Sequence, residues 1–147
     1  MYYLDSKRIL QEYAYSERKK KKCWYSGDLF RLKIVLSPDS VIAAVQLSDE
    51  IRIYYQGKFH LLTPKRIWAK LRNIEIGSGV IREVRKPPHT DSWIKDTTLS
   101  VAVKSSKIAV IGWINDGTHI RVYYQDPHFC LEEYCCANGH WTRGWWK

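Results

Sequence analysis

The sequence lacks any apolar stretch long enough to cross a membrane as a helix. Its N-terminus, Met1 to Asp5, also lacks the pattern of a signal peptide. Both absences predict a soluble protein that is cytoplasmic or leaves the cell by a non-classical route, and its localisation stays open. At 147 residues the chain is long enough for one domain with a core of its own.

Cysteine is scarce, and no Cys-x-x-Cys pair occurs among the four cysteines. Their spacing forms no disulfide framework, and adjacent cysteines in a strand would point to opposite faces. A zinc site is conceivable from Cys130, Cys135, Cys136, His128 and His140. The interpretation we favour is a buried thiol that packs as a small apolar group, so we expect no metal and no cofactor.

Acidic residues are outnumbered, with 15 Asp and Glu against 24 Lys and Arg, for a formal net charge of +9. Ten of the basic residues lie in Arg18–Lys22 and Lys58–Arg72, and without them the chain is about neutral. The charge excess therefore belongs to two segments, which argues against a phosphate-binding domain. A nucleic-acid or polyanion binder acting through Lys19–Lys22 and Lys65–Arg72 is kept as the alternative function.

A six-residue phrase occurs twice, as Ile51–Gln56 (IRIYYQ) and as Ile120–Gln125 (IRVYYQ). An apolar run precedes each copy, and a Glu and then a Trp follow it. The apolar run, the Arg, the Glu and the Trp serve as the four landmarks of a repeat. The seven Trp and ten Tyr of the chain suit packed β-sheets and stacking on sugars or bases. Such self-similarity indicates a repeat protein, so the fold and the site are interpreted per repeat.

The repeats predict an all-β fold. Alternation in the phrase puts Arg52 and Tyr54 on one face of a strand and Ile51 and Ile53 on the other. Four short antiparallel strands in about 50 residues predict a β-propeller blade, with a β-sandwich as the runner-up. We expect a single partial propeller domain at 1–147, with the end of a first blade at 1–36, a second blade at 41–103 and a third at 107–147.

Spacing predicts an insertion in the second blade. Arg121 and Glu133 are 12 residues apart, whereas Arg52 and Glu83 are 31 apart. The difference places a basic insertion near 57–79. A short helix capped by Thr63 is one reading of it, and a loosely packed hairpin excursion is the one we favour.

The pattern that carries chemistry is an Arg and a Glu on neighbouring strands, found as Arg52 with Glu83 and as Arg121 with Glu133. A guanidinium donates hydrogen bonds and an ionised carboxylate accepts them, so together they can satisfy the hydroxyls of a sugar. An ordinary cross-strand ion pair is the plain alternative, but recurrence beside a Trp favours a site. With the apolar face of the next blade opposite, the groove suits a sugar that has hydroxyls on one side and a methyl group on the other.

A propeller glycosidase is the third candidate. It needs two carboxylates across a cleft, whereas each repeat offers one Glu beside an Arg. An Arg neighbour lowers the pKa of a carboxyl group, which is the wrong direction for a general acid. No serine or cysteine nucleophile motif occurs, and we expect no catalysis.

These repeats resemble those of the fungal fucose-specific lectins. The similarity rests on the Ile120–Gln125 phrase, the Ile/Leu-x-Glu strands and the Trp-Tyr-Ser-Gly turn at Trp24–Gly27. Leu10–Tyr13 and Ser40–Val45 match as well, so most of the chain outside 57–79 is covered. The resemblance implies a six-bladed β-propeller that binds L-fucose between successive blades, without metal or catalysis, and has fucosylated glycans as partners.

The resemblance also assigns roles to individual residues. Arg52 and Glu83 would hydrogen-bond the sugar. Ile120 and Trp141 of the next blade would cover its methyl side.

Two further sites are implied in part. Arg121 and Glu133 would form the polar half of one, whose apolar wall must come from outside this chain. Glu12 and Trp93 would belong to another, whose Arg lies upstream of Met1.

The chain departs from the family pattern in two ways that bear on assembly and binding. The aromatic residue three positions after the Glu is kept as Tyr15 but replaced by Lys86 and Cys136. Fewer than three full blades also cannot close a ring. We therefore expect either a homo-oligomer that completes the propeller or a truncated member of the family. The preferred fucosyl linkage stays open.

Overall fold

The computed structural model describes residues 1–16, 23–37, 39–58 and 79–144, which fold into three antiparallel sheets. The first sheet has three strands, and the second and third have four each. In every sheet, strands that are consecutive in sequence pair with each other. The sheets are called the first, second and third blade below, and together they are an incomplete β-propeller.

The described strands follow the predicted order. The first blade contains β1 (Tyr2–Leu4), β2 (Leu10–Ser16) and β3 (Cys23–Ser26), followed by a short 3-10 helix (Asp28–Leu32). The second contains β4 (Ile42–Leu47), β5 (Glu50–Lys58), β6 (Gly79–Lys86) and β7 (Ile94–Ala102). The third contains β8 (Ala109–Ile114), β9 (Thr118–Gln125), β10 (Leu131–Ala137) and β11 (His140–Arg143). The predicted all-β fold of four-stranded blades is confirmed in the second and third.

The first blade holds more than the landmarks predict. Its strand Tyr2–Leu4 pairs with the start of β2, and Tyr2 lies opposite Glu12. The landmarks miss this strand because it is three residues long and carries no Arg.

The predicted insertion falls almost wholly outside the described residues. β5 and β6 stay paired up to Lys58, opposite Gly79. Residues 59–78, for which the sequence favours a hairpin excursion over a short helix, lie outside the described residues. None of the helical segments described is long and apolar enough to span a bilayer.

The apolar cores lie between blades rather than within them. One cluster joins the first blade to the second, and its members include Leu10, Leu29, Ile53, Tyr55 and Val84. The other joins the second blade to the third, and its members include Leu47, Tyr54, Ile81, Ile120 and Val122. Because neighbouring residues of a strand face opposite ways, Ile53 is buried in one cluster and Tyr54 in the other.

The segments that lead into the second and third blades are fixed in the same way. The backbone N–H of the Gln that ends the phrase donates to a serine hydroxyl, from Gln56 to Ser40 at 3.1 Å and from Gln125 to Ser106 at 2.8 Å. The two hydroxyls thus hold the start of β4 and of β8 against the following strand in the same way.

Candidate functional site

Arg52 and Glu83 meet on the face of the second blade that lies against the third. The pair is diagonal across the strands, because Tyr54 lies directly opposite Glu83. Arg52 Nη1 lies 3.2 Å and 3.3 Å from the two carboxylate oxygens of Glu83. The Tyr54 hydroxyl donates to Glu83 Oε2 at 2.6 Å. The two predicted neighbours are in contact, and a tyrosine completes the cluster.

Glu50 lies beside the remaining nitrogens of the Arg52 guanidinium and hydrogen-bonds Nη2, whereas Nε is buried without a hydrogen bond to any described residue. The glutamate lies two residues earlier on the same strand face, with Oε1 3.2 Å from Nε and Oε2 accepting from Nη2 at 3.3 Å. Together with Glu83 on Nη1, every guanidinium nitrogen of Arg52 lies beside a carboxylate oxygen.

Burial and charge both act on this cluster. Burial alone would lower the pKa of Arg52, but the Glu83 and Glu50 carboxylates outweigh it and the pKa is raised. Burial, followed by the Glu83 charge and hydrogen bond, raises the pKa of Tyr54. At neutral pH the arginine is charged and the tyrosine protonated, which keeps the hydrogen bonds in place.

The third blade covers the cluster. Ile120 is fully buried in the same apolar cluster as Tyr54, and the Trp141 ring lies edge-on to the Tyr54 ring at 6.1 Å between centroids. The side chains of Arg52 and Glu83 are 7% and 1% exposed. The four residues predicted for this site come together, in a contact that is closed to solvent, and their role in binding a sugar stays a prediction.

The third blade repeats the cluster on its outer face. Arg121 Nη1 lies 3.6 Å from Glu133 Oε2, and the Tyr123 hydroxyl donates to Glu133 Oε1 at 2.9 Å. Arg121 also contacts Cys135 Sγ and lies over the Trp113 ring, 5.8 Å from its centroid. The side chains of Arg121 and Glu133 are 36% and 15% exposed. This copy of the motif is open.

One position separates the two copies chemically. The residue two before the Arg is Glu50 in the second blade and His119 in the third. His119 stacks on Trp113, with 5.3 Å between ring centroids. In the described part of the third blade, the carboxylate paired with Arg121 is that of Glu133.

A third cluster lies between the first and second blades. Trp93 Nε1 donates to Glu12 Oε2 at 2.9 Å, and the Tyr2 and Trp93 rings meet edge to face at 5.8 Å. Burial, and then the Glu12 charge, raises the pKa of Tyr2 to about 12. A cavity of about 120 Å³ adjoins it, lined by Asp28, Arg31, Leu32, Asp91, Ser92 and Trp93. The predicted neighbours Glu12 and Trp93 are thus joined by a direct hydrogen bond.

A glycine lies against the Glu in the first and third blades. Gly27 and Gly144 each follow the landmark Trp by three residues and donate their N–H to the carbonyl oxygens of Glu12 and Glu133, at 3.0 Å and 2.8 Å. A Cβ on either glycine would overlap the Glu side chain. In the second blade Asp96 takes this position, and the pairing of β6 with β7 shifts register there.

Three kinds of residue in these clusters are not among the site residues predicted from the sequence. Tyr54 and Tyr123 lie two residues after the Arg, and Glu50 two before it, so period two already places them on its face. The glycines recur at a fixed distance from the Trp, at Gly27 and Gly144. In each case a fixed spacing within the repeat, the feature that singled out the Arg, could have identified the residue.

The other sequence-based candidates find no role in the described residues. Cys135 lies beside Arg121 whereas Cys136 is buried between blades, so the two thiols do point to opposite faces. Among the residues with described positions, no three His, Cys, Asp or Glu side chains are grouped to hold a metal ion. Lys19–Lys22 and Lys65–Arg72 lie outside the description.

Solved structures share the fold of this chain. AofleA from Arthrobotrys oligospora is 24% identical, with a TM-score of 0.73 over 99% of this chain and 38% of that one. A lectin of Aleuria aurantia, described as a six-bladed β-propeller, is 19% identical, with a TM-score of 0.66 over 97% of this chain and 40% of that one. A fucose lectin from Kordia zhangzhouensis is 18% identical, with a TM-score of 0.52 over 99% of this chain and 96% of that one. The chain spans about 40% of the length of the first two.

Sequence comparison finds a similarity in the second half of the chain. No curated protein sequence matches the chain. The family described as fungal fucose-specific lectin matches residues 76–147, a stretch that contains Glu83, Trp93 and the whole third blade. Residues 76–147 of the chain are thus similar to the fungal fucose-specific lectins.

Proposed function

We propose that the chain is a lectin that binds L-fucose-containing glycans between blades and catalyses no reaction. The observation that carries this proposal is the open cluster of Arg121, Glu133 and Tyr123, which repeats the cluster around Arg52 inside the stretch that matches the lectin family. Among the chains of similar fold, the Aleuria lectin is described by its fucose recognition mode and the Kordia lectin was solved with methyl-fucoside.

The cluster has the donors and acceptors that a sugar needs. Arg121 can donate to vicinal hydroxyl oxygens, and Glu133 can accept from the hydroxyl hydrogens. Tyr123 holds one Glu133 oxygen by its hydrogen bond, which orients the carboxylate before a ligand arrives. Pre-orientation lowers the entropic cost of binding.

We assign binding to the third-blade cluster rather than to that of the second blade. The Arg52 side chain is 7% exposed and its guanidinium lies between two carboxylates, so a sugar would have to displace a buried ion pair. Arg121 is 36% exposed and pairs with one carboxylate at 3.6 Å. Arg52 and Glu83 then serve as the contact between the second and third blades.

A glycan array tests the function. We expect binding to fucosylated glycans that free L-fucose blocks and that salt changes little. The Arg121→Ala variant should lose the signal and Arg143→Ala should keep it, because Arg143 pairs with Glu132 on the opposite face of the same hairpin. Binding that falls steeply with salt and ignores L-fucose would favour the nucleic-acid alternative instead. Absence of any fucosylated glycan from the bound set would overturn the proposal.

A further inference from the structure

The Arg52 cluster runs from a buried end towards the surface. The side chains of Glu83, Arg52 and Glu50 are 1%, 7% and 13% exposed, and that of Arg85 is 38% exposed. Glu50 is the first residue of β5 and lies opposite Leu47, which is buried between the second and third blades. Its carboxylate thus lies on the side of the cluster that faces solvent.

A second arginine holds Glu50 in this place. Arg85 lies opposite Arg52 in the pairing of β5 with β6. Glu50 Oε1 lies 3.2 Å from Arg52 Nε and 3.7 Å from Arg85 Nη1. Since Glu83 also pairs with Arg52, two carboxylates balance the two guanidinium charges at this junction.

Glu50 uses the hydrogen-bonding capacity of Arg52 only in part. A guanidinium presents its N–H donors in a fixed fork, and a carboxylate can accept two parallel bonds from it. Glu50 accepts from Nη2, but among the described residues no group accepts a hydrogen bond from the buried Nε. The backbone of Glu50 is fixed at the start of a strand, so its carboxylate fills this place on the fork without matching it.

The third blade carries the same motif without this ion pair. His119 takes the position of Glu50, and Cys135, opposite Arg121, takes the position of Arg85. Both members of the pair are thus replaced together, while the Arg, the Tyr and the Glu of the motif are kept. The pair of Glu50 and Arg85 is an addition to the motif rather than a part of it.

We propose that Glu50 is a built-in ligand of Arg52, whose carboxylate takes the place of an external ligand at Nε and Nη2 and closes the junction between the second and third blades. Truncation of Glu50 leaves a space beside Arg52 that opens towards the partly exposed Arg85 and takes a small carboxylate or the hydroxyl oxygens of a fucoside. The exclusion of a fucoside rests on the proposed function, whereas the occupied place on Arg52 does not.

Thermal unfolding in formate tests the occupied place. Glu50→Ala should lower Tm by about 4–8 °C, because a buried guanidinium loses one of its two acids. Formate should restore part of this loss, with a gain that grows with its concentration, and chloride at equal ionic strength should not. Glu50→Gln keeps the size and an acceptor oxygen, so it is the control that formate should stabilise no more than wild type. An equal response of Glu50→Ala and wild type to formate would overturn the built-in ligand.

The exclusion of sugar is tested in a chain that carries Arg121→Ala, so that the third-blade cluster does not contribute. In calorimetric titration, adding Glu50→Ala should tighten the binding of methyl α-L-fucoside about tenfold over Arg121→Ala alone. Arg52→Lys keeps the charge but loses the fork, so it should remove this gain. Glu50→His introduces the residue of the third blade and should give the same gain if Glu50→Ala does not fold.

The two measurements separate this inference from the lectin function. Fucoside binding by wild type, with no gain in either Glu50 variant, would overturn the exclusion of sugar by Glu50 and leave the lectin function standing. A response of Glu50→Ala to formate, with no fucoside binding by wild type or any variant, would overturn the lectin function and leave the built-in ligand.

Discussion

Glu50 holds the Arg52 guanidinium with both carboxylate oxygens, 3.2 Å from Nε and 3.3 Å from Nη2. In the third blade the same position is His119, which stacks on Trp113 instead. One repeated Arg and Glu motif therefore forms two different structures in this chain. In the second blade it is a closed contact between blades, and in the third it is a cluster open to solvent.

The closed copy of the motif should be important for stability. Glu83→Ala removes one of the two acids that hold a buried arginine, and we expect a loss of about 3–5 kcal/mol in the free energy of unfolding. Glu133→Ala makes the same change in the exposed copy and should cost about 0–1 kcal/mol. Denaturant titration measures both. Equal losses for the two variants would show that burial of the second-blade cluster does not matter.

Alkaline pH should weaken the fold through buried tyrosines. The pKa of Tyr2 is raised from 10.0 to about 12, and that of Tyr54 is raised as well. Above pH 10 the unfolded chain loses these protons while the folded chain keeps them, so stability that is fully present below pH 10 falls as the pH rises towards 12.

Denaturant titration at several pH values checks this dependence. Tyr54→Phe should make the alkaline loss smaller and lower stability at neutral pH by about 1–3 kcal/mol, because buried Glu83 loses a donor. An unfolding free energy that is the same at pH 8 and pH 11 would contradict the account.

The glycine beside Glu133 should matter for binding. A Cβ at position 144 would lie 2.9 Å from Glu133 Cβ and closer still to its carboxylate, so Gly144→Ala should turn the carboxylate away and weaken fucoside binding about tenfold. Gly139→Ala is the control, because its Cβ meets nothing within 4 Å although its φ is +83°. It should lower stability through backbone strain and leave affinity unchanged. Loss of affinity in both variants would point to strain rather than to the carboxylate.

The register of the repeats could be predicted from sequence because the phrase around Arg52 and Arg121 recurs with a fixed alternation. That alternation fixes which side chains share a face, and the structure has Arg52 and Tyr54 on one face and Ile53 on the other. The four-stranded blade follows from the spacing of the landmarks, and it is confirmed.

Whether each Arg and Glu cluster is open or closed to solvent could not be predicted, because that depends on the contact between blades. Arg52 and Arg121 lie in nearly the same six-residue sequence, yet their side chains are 7% and 36% exposed. Exposure depends on whether another sheet lies on that face, which no local pattern encodes. The strand at Tyr2–Leu4 also escapes prediction, because pairing with β2 rather than its own pattern makes it a strand.

Calorimetric titration of the 147-residue chain with methyl α-L-fucoside tests the central claim, that the Arg121 cluster binds the sugar. Wild type and Arg143→Ala should bind with equal affinity. Arg121→Ala should bind about 10–100-fold more weakly, as expected when a charged hydrogen-bond donor is lost. An Arg121→Ala variant that binds the fucoside as tightly as wild type would contradict the account.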